Sequence, residues 1–187
     1  MTTHVALLRG INVGGKNPIM MPALKDAFEA DGFGNVRTYI QSGNVLFEGP
    51  GKGGTALANR IETMLETTFG LPLVVVVRSR PQMRAIVDRA PEGFGSDASM
   101  YRYNVIFLKE PLTAREAINS VSTKDGVDEA HVGPGVLYFS HLIGRASQSH
   151  LSRIVSLPVY KDMTIRNWNT TTKLLGLLEA EPGACVR

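Results

Sequence analysis

The chain has 187 residues, 43% of them apolar, and its 20 Lys and Arg against 17 Asp and Glu leave a formal charge of +3. That length and composition place it in the globular class with a sizeable core, and a net excess of three charges does not by itself signal nucleic acid. A single cysteine, Cys185, excludes an internal disulfide and a thiolate metal site and fits a reducing, cytoplasmic setting.

The opening residues MTTHVALLRG lack the basic region and long apolar stretch of a signal peptide. Val5 to Leu8 instead predicts a buried strand, followed after a polar loop by a helix with Met21, Leu24, Ala27 and Phe28 on one face. Pro22 suits that helix's first turn and Gly32 its end. Val36 to Gln41 and Val45 to Glu48 flank Ser42-Gly43-Asn44, a hairpin signal because Gly and Asn tolerate positive φ. Thr55 is placed to cap a second helix that carries Leu57, Ile61, Met64 and Leu65 and stops at Gly70. Leu73 to Val77 supplies a fourth strand. Leu71 to Val77, the longest apolar run, is broken by Pro72 and falls far short of the roughly 20 residues that cross a bilayer, so no membrane partner is expected.

This order, βαββαβ, is that of the ferredoxin-like α/β plait, an α+β fold with two helices on one face of an antiparallel sheet. Pro81 opens a linking helix through Met83, Ile86, Val87 and Ala90, and Pro91 to Ser99 joins two halves. The order then recurs: a strand over Tyr103 to Leu108, and a capping box at Thr113 to Glu116 before Ile118 and Val121. A hairpin follows around Gly133-Pro134-Gly135, then a helix over Leu151, Ile154 and Val155, a strand near Met163 to Ile165 and a last helix using Leu174, Leu175 and Leu178. The expected organisation is a plait over 1–80, a linking helix and loop over 81–100, and a second plait with a C-terminal helix over 101–187.

Three segments, LLRGINVGGKN, YIQSGNVLF and TIRNWNTTTKL, resemble in order the signature stretches of the bacterial family known as domain of unknown function 1697. The resemblance implies two α/β-plait subdomains and brings no established activity, substrate or cofactor. This chain departs at Pro18, which bears on the shape of its first loop.

Gly10 to Lys16 satisfies the G-x-x-x-x-G-K spacing of a phosphate-cradling loop but offers Asn17 where Ser or Thr should hold Mg²⁺. Pro18, Ile19 and Met20 delay the helix whose N-terminus should face the phosphate, so an anion held by Lys16 and loop amides is favoured over a Walker-type site. Gln41-Ser42-Gly43-Asn44 occupies a hairpin tip, where such residues commonly serve the backbone. Thr164 to Thr170 concentrates hydrogen-bonding side chains around the only Trp; Arg166 can grip a phosphate or carboxylate, while Asn169 or Thr170 can equally cap the last helix. The expected ligand-binding set is Arg9, Asn12, Lys16, Asn17, Gln41, Ser42, Asn44, Arg166, Asn167 and Asn169, with a phosphorylated or otherwise anionic small molecule, a nucleotide included, as the partner. No cofactor or metal is expected, the sequence assigns no catalytic residue and leaves open whether there is one, and His4, His131, His141 and His150 lack metal spacing and suit surface or hydrogen-bonded positions. Phosphoryl or acyl transfer at the same cleft is the enzymatic alternative. Nucleic acid is the less favoured partner: Arg78, Arg80, Arg84 and Arg89 form a basic cluster, but the first strand lacks the aromatics of RNA-recognition plaits, and Tyr101, Tyr103 and Phe107 suit core packing. The sequence imposes no oligomeric state.

Overall fold

A computed structural model describes residues 1–12, 17–51 and 53–180. In chain order the elements are β1 (Thr2–Leu8), α1 (Met21–Ala30), β2 (Gly34–Tyr39), β3 (Asn44–Gly49), α2 (Thr55–Phe69), β4 (Val75–Ser79), α3 (Arg80–Asp88), β5 (Tyr101–Leu108), α4 (Ala114–Ser120), β6 (Asp128–Gly133), β7 (Val136–Leu142), α5 (Leu151–Ile154), β8 (Met163–Asn167) and α6 (Trp168–Glu179). They form two four-stranded antiparallel sheets, ordered β2-β3-β1-β4 and β6-β7-β5-β8. In each sheet the first and third strands of the repeat lie at the centre, as the plait order requires. Contacts divide the chain into one unit of Met1–Met83 with Lys173–Arg187 and another of Arg84–Thr172. The chain leaves the first unit within α3 and returns to it within α6. No helix among the described residues is long and apolar enough to cross a membrane.

The core of the first unit follows from alternation on β1 and helical spacing on α1 and α2. Ala6, Leu8, Val45 and Phe47 meet Leu24, Phe28, Leu57, Ile61 and Leu65 in one buried cluster. Gly70, in the left-handed region at φ 68°, ends α2 and donates its N–H to the Glu66 carbonyl. Thr55 does not cap this helix. Gly54 takes the N-cap at φ 96°, a conformation closed to threonine, and Thr55 becomes the first helical residue. Leu174, Leu175 and Leu178 of α6 are buried, and the Arg37 guanidinium donates to the Leu177 carbonyl at 3.0 Å.

In the second unit, Ile106, Leu108, Leu137, Phe139 and Met163 pack with Ala114, Ala117 and Ile154. The capping box of α4 forms, with Glu116 N–H donating to Thr113 Oγ1 at 3.3 Å and Thr113 N–H to Glu116 Oε2 at 2.9 Å. The helix expected through Val155 shortens to the single turn of α5, and Val155 is 57% exposed.

Two histidines are buried, contrary to the surface or hydrogen-bonded positions expected. His4 has no accessible surface and stacks on Phe47 at 5.4 Å, and neither ring nitrogen has a hydrogen-bond partner among the described residues. Burial pushes its pKa below 6.5, with the Gly49 backbone opposing; burial also lowers that of His141, with Asp128 opposing and Arg102 assisting. A histidine kept neutral in the fold takes up its proton on unfolding, so the unfolded chain binds more protons as pH drops through 6.5 and stability is lost as the pH is lowered. Each such histidine adds at most about 1.4 kcal/mol per pH unit to that slope. His4→Phe is expected to flatten the decline of the urea midpoint between pH 7.5 and 5.5; an unchanged slope would remove His4 from the titration.

Candidate functional site

The loop after β1 and the β2–β3 hairpin meet at one end of the first sheet. As β1 ends, the Leu8 N–H donates to the Gly43 carbonyl at 2.8 Å and the Arg9 N–H to the Val74 carbonyl at 2.9 Å, so the departing chain runs between the hairpin and β4. Ile11 and Ile19 are buried beneath the loop. A Cβ on Gly43 would lie 2.9 Å from Leu8 Cβ and 3.0 Å from Ile11, which is why the hairpin needs glycine here.

Asparagine side chains brace this junction. Asn12, at φ 54°, pairs with Ile19 as a peptide would: its Oδ1 accepts from Ile19 N–H at 2.8 Å and its Nδ2 donates to Ile19 O at 2.8 Å. The same Nδ2 donates to the Gln41 carbonyl at 3.0 Å, tying the loop to the hairpin. Asn12 N–H donates to the Asn17 carbonyl at 3.2 Å, and Asn17, at φ 47°, returns a bond from Nδ2 to Gly10 O at 3.1 Å. Asn44 closes the hairpin from within, donating to Tyr39 O and Ser42 Oγ at 3.0 Å. Asparagine suits these roles because its short amide tolerates left-handed backbone and imitates a peptide group.

The hairpin also holds Ile40 at φ 49° and 49% exposed. A β-branched residue in that region is strained by about 1–3 kcal/mol, retained because the surrounding bonds over-determine the turn. The sequence pattern places positive φ at Gly43 and Asn44; the structure places it at Gly43 and Ile40, with Asn44 already in β3. Gln41 is exposed, Arg9 and Ser42 are half-buried, and Lys16 lies outside the described residues.

The second unit repeats the junction without the loop. Leu108 N–H donates to Gly135 O at 3.1 Å and Lys109 N–H to Asp162 O at 2.8 Å, matching Leu8 and Arg9. From there β5 reaches α4 through residues 109–113, whereas β1 reaches α1 only through residues 9–20. Five residues suffice for this turn, so the other loop is longer than the fold needs. Its sheet is antiparallel and α1 waits until Met21, which removes the Walker-type arrangement.

The third polar segment belongs to the second unit and is engaged there. Arg166 is buried on β8, donating to Thr164 Oγ1 and Ile165 O at 2.9 Å; burial lowers its pKa to about 10, with Tyr160 opposing, so it stays charged at neutral pH. Asn167 caps α6, its Oδ1 accepting from Thr170 N–H at 2.7 Å, in place of the Asn169 or Thr170 cap considered from sequence. Asn169 is exposed on the first turn, and Trp168 packs edge-on against Phe94 at 5.2 Å. The basic cluster does not share one exposed face. Arg78 is buried on β4 with a guanidinium bond to Val77 O at 2.9 Å, while Arg80, Arg84 and Arg89 are exposed. Elsewhere in the first unit a groove of about 830 Å³ runs between α1 and α2, where Asp31 engages Arg60 at 2.9 Å amid alanines and threonines. Asp26, Asp31, Arg60 and three threonines line it, and the Arg60 guanidinium is engaged by Asp31. No group of three metal-ligating side chains occurs among the described residues.

Fold and site together define a double α/β-plait protein with an asparagine-braced polar loop at one end of its first sheet. The chain belongs to the family described as "Protein of unknown function (DUF1697)", which matches residues 1–138. It is similar in structure to the conserved bacterial protein SP0830 from Streptococcus pneumoniae, with a TM-score of 0.83, 25% identity and coverage of 95% of this chain and 99% of that one. No curated protein matches the chain.

Proposed function

We propose that the junction of the first loop and the β2–β3 hairpin binds a phosphorylated or otherwise anionic small molecule, a nucleotide among the candidates. The observation that carries this reading is the loop's excess length over its counterpart in the second unit, combined with a frame of asparagine bonds that holds it to the hairpin. A fold rarely keeps a braced, glycine-rich surface loop that its own topology does not require unless the loop has work to do.

In this reading Asn12, Asn17 and Asn44 hold the frame, because their amides are engaged with backbone and hairpin. Lys16 and Arg9 supply positive charge, and Gln41 and Ser42 offer polar contacts to the ligand. Arg166 and Asn167 serve the second unit's own packing and helix cap, and Asn169 is exposed beside them. Two cations on one phosphate, each worth roughly 1.5–3 kcal/mol as a charge-assisted bond, supply about 3–6 kcal/mol, a Kd from the millimolar range to tens of micromolar, without catalytic groups.

Thermal-shift measurements with inorganic phosphate, sugar phosphates and nucleotides test this. Ligand at about 100 times its Kd should add about 2.7 kcal/mol of stability. Lys16→Ala and Arg9→Ala proteins should each lose most of the gain while melting normally without ligand. A gain of the same size in both variants would remove these cations from the site.

A further inference from the structure

A second, chemically different cleft lies wholly within the second unit. Its floor is the face of the sheet opposite α4, where Glu129, Ser140 and Tyr103 stand in one cross-strand row over β6, β7 and β5. Tyr101 lies two residues along β5, its ring 6.1 Å from that of Tyr103. The loop from Pro91 to Phe94 forms the wall. Phe94 is fixed there by edge contacts to Tyr103 at 4.9 Å, Tyr138 at 5.4 Å and Trp168 at 5.2 Å. Tyr103 is held in turn by the Asp97 N–H, which donates to its hydroxyl at 3.3 Å. The cleft is open on one side and has a volume of about 330 Å³.

The carboxylates among the described lining residues are those of Glu92 and Glu129, and His131 is a cation there only when protonated. Glu92 and Glu129 carry carboxylates on its rim, His131 sits with its Nε2 3.7 Å from Glu129 Oε2, and no Lys or Arg is among the described lining residues. Tyr101, Tyr103 and Phe94 add the negative potential of ring faces to that of the carboxylates. An anion is repelled by both kinds of group and a neutral sugar uses only the stacking surface, whereas an organic cation is attracted by both. The volume, at the small end of ligand pockets, leaves room for a head group such as a quaternary ammonium or a guanidinium.

We propose that this cleft binds a small organic cation, of the quaternary ammonium or guanidinium class, between Tyr101, Tyr103 and Phe94 with Glu92 and Glu129 as counter-charges. The site is independent of the anion-binding junction in the first unit. Both glutamates are exposed and bear on no core contact, so replacing them leaves the fold intact.

Titration calorimetry of the full chain with choline, tetramethylammonium and glucose, at constant ionic strength, tests it. Trp168, the only Trp, reports on the same wall by fluorescence through Phe94. Choline is expected to bind saturably, to compete with tetramethylammonium, and to bind about tenfold more weakly to the Glu92→Gln/Glu129→Gln protein. Glucose should give no saturable signal. Absence of saturable binding by either cation, undiminished binding by the double variant, or glucose binding as well as choline would each overturn the proposal.

Discussion

Gly43→Ala is expected to destabilise the protein by about 3 kcal/mol, combining left-handed strain of roughly 1–2 kcal/mol with overpacking of similar size. The glycine sits at φ 77°, and an added Cβ would meet Leu8 Cβ at 2.9 Å and Ile11 at 3.0 Å. Neither neighbour can retreat, since Leu8 is a fully buried core residue and Ile11 anchors the first loop. For a chain of this size the melting temperature should fall by about 6–12 °C. Gly51→Ala separates the two causes, because Gly51 has φ 76° but open space around its missing Cβ. It should lose only the strain component, about 1 kcal/mol. Equal losses in the two variants would show that the packing of hairpin against loop contributes nothing.

Asn12→Ala should cost about 2–3 kcal/mol. The substitution removes three hydrogen bonds, two to Ile19 and one to Gln41, and leaves alanine in a left-handed conformation that asparagine tolerates better. Part of this junction is open to solvent, so each bond counts at the lower end of its range. Asn12→Gly keeps the backbone freedom and loses only the side-chain bonds, and should therefore be about 1 kcal/mol more stable than Asn12→Ala. Urea unfolding of the three proteins checks the order. An Asn12→Ala protein as stable as the parent would mean that the loop is not braced by this side chain.

The element order was legible because its signals are local. The apolar run of β1, the 3.6-residue spacing of Leu24, Ala27 and Phe28, and the Thr113–Glu116 capping box depend on neighbours a few residues away. The region 143–162 was less legible: its apolar residues keep helical spacing, yet the chain breaks into 3-10 turns and the one-turn α5. The site was legible in composition and not in role. Asn12, Asn17 and Asn44 stand out as polar residues beside a strand, but only distances reveal that their amides brace the backbone. Burial misled in the same way, because His4 shares the inward face of β1 with Ala6 and Leu8 and nothing in its immediate sequence says that a histidine should go there. The tyrosine cleft of the second unit was hidden for another reason. Glu129, Ser140 and Tyr103 become neighbours only through strand register.

The last helix follows the second half in sequence, but from Lys173 onward its contacts lie with the first. A nascent chain therefore holds β4 some ninety residues of synthesis before the buried Leu174, Leu175 and Leu178 of the same unit emerge. Completion of the first unit waits for α6, and a fragment that stops after β4 lacks the segment from Lys173 onward that the intact unit contains.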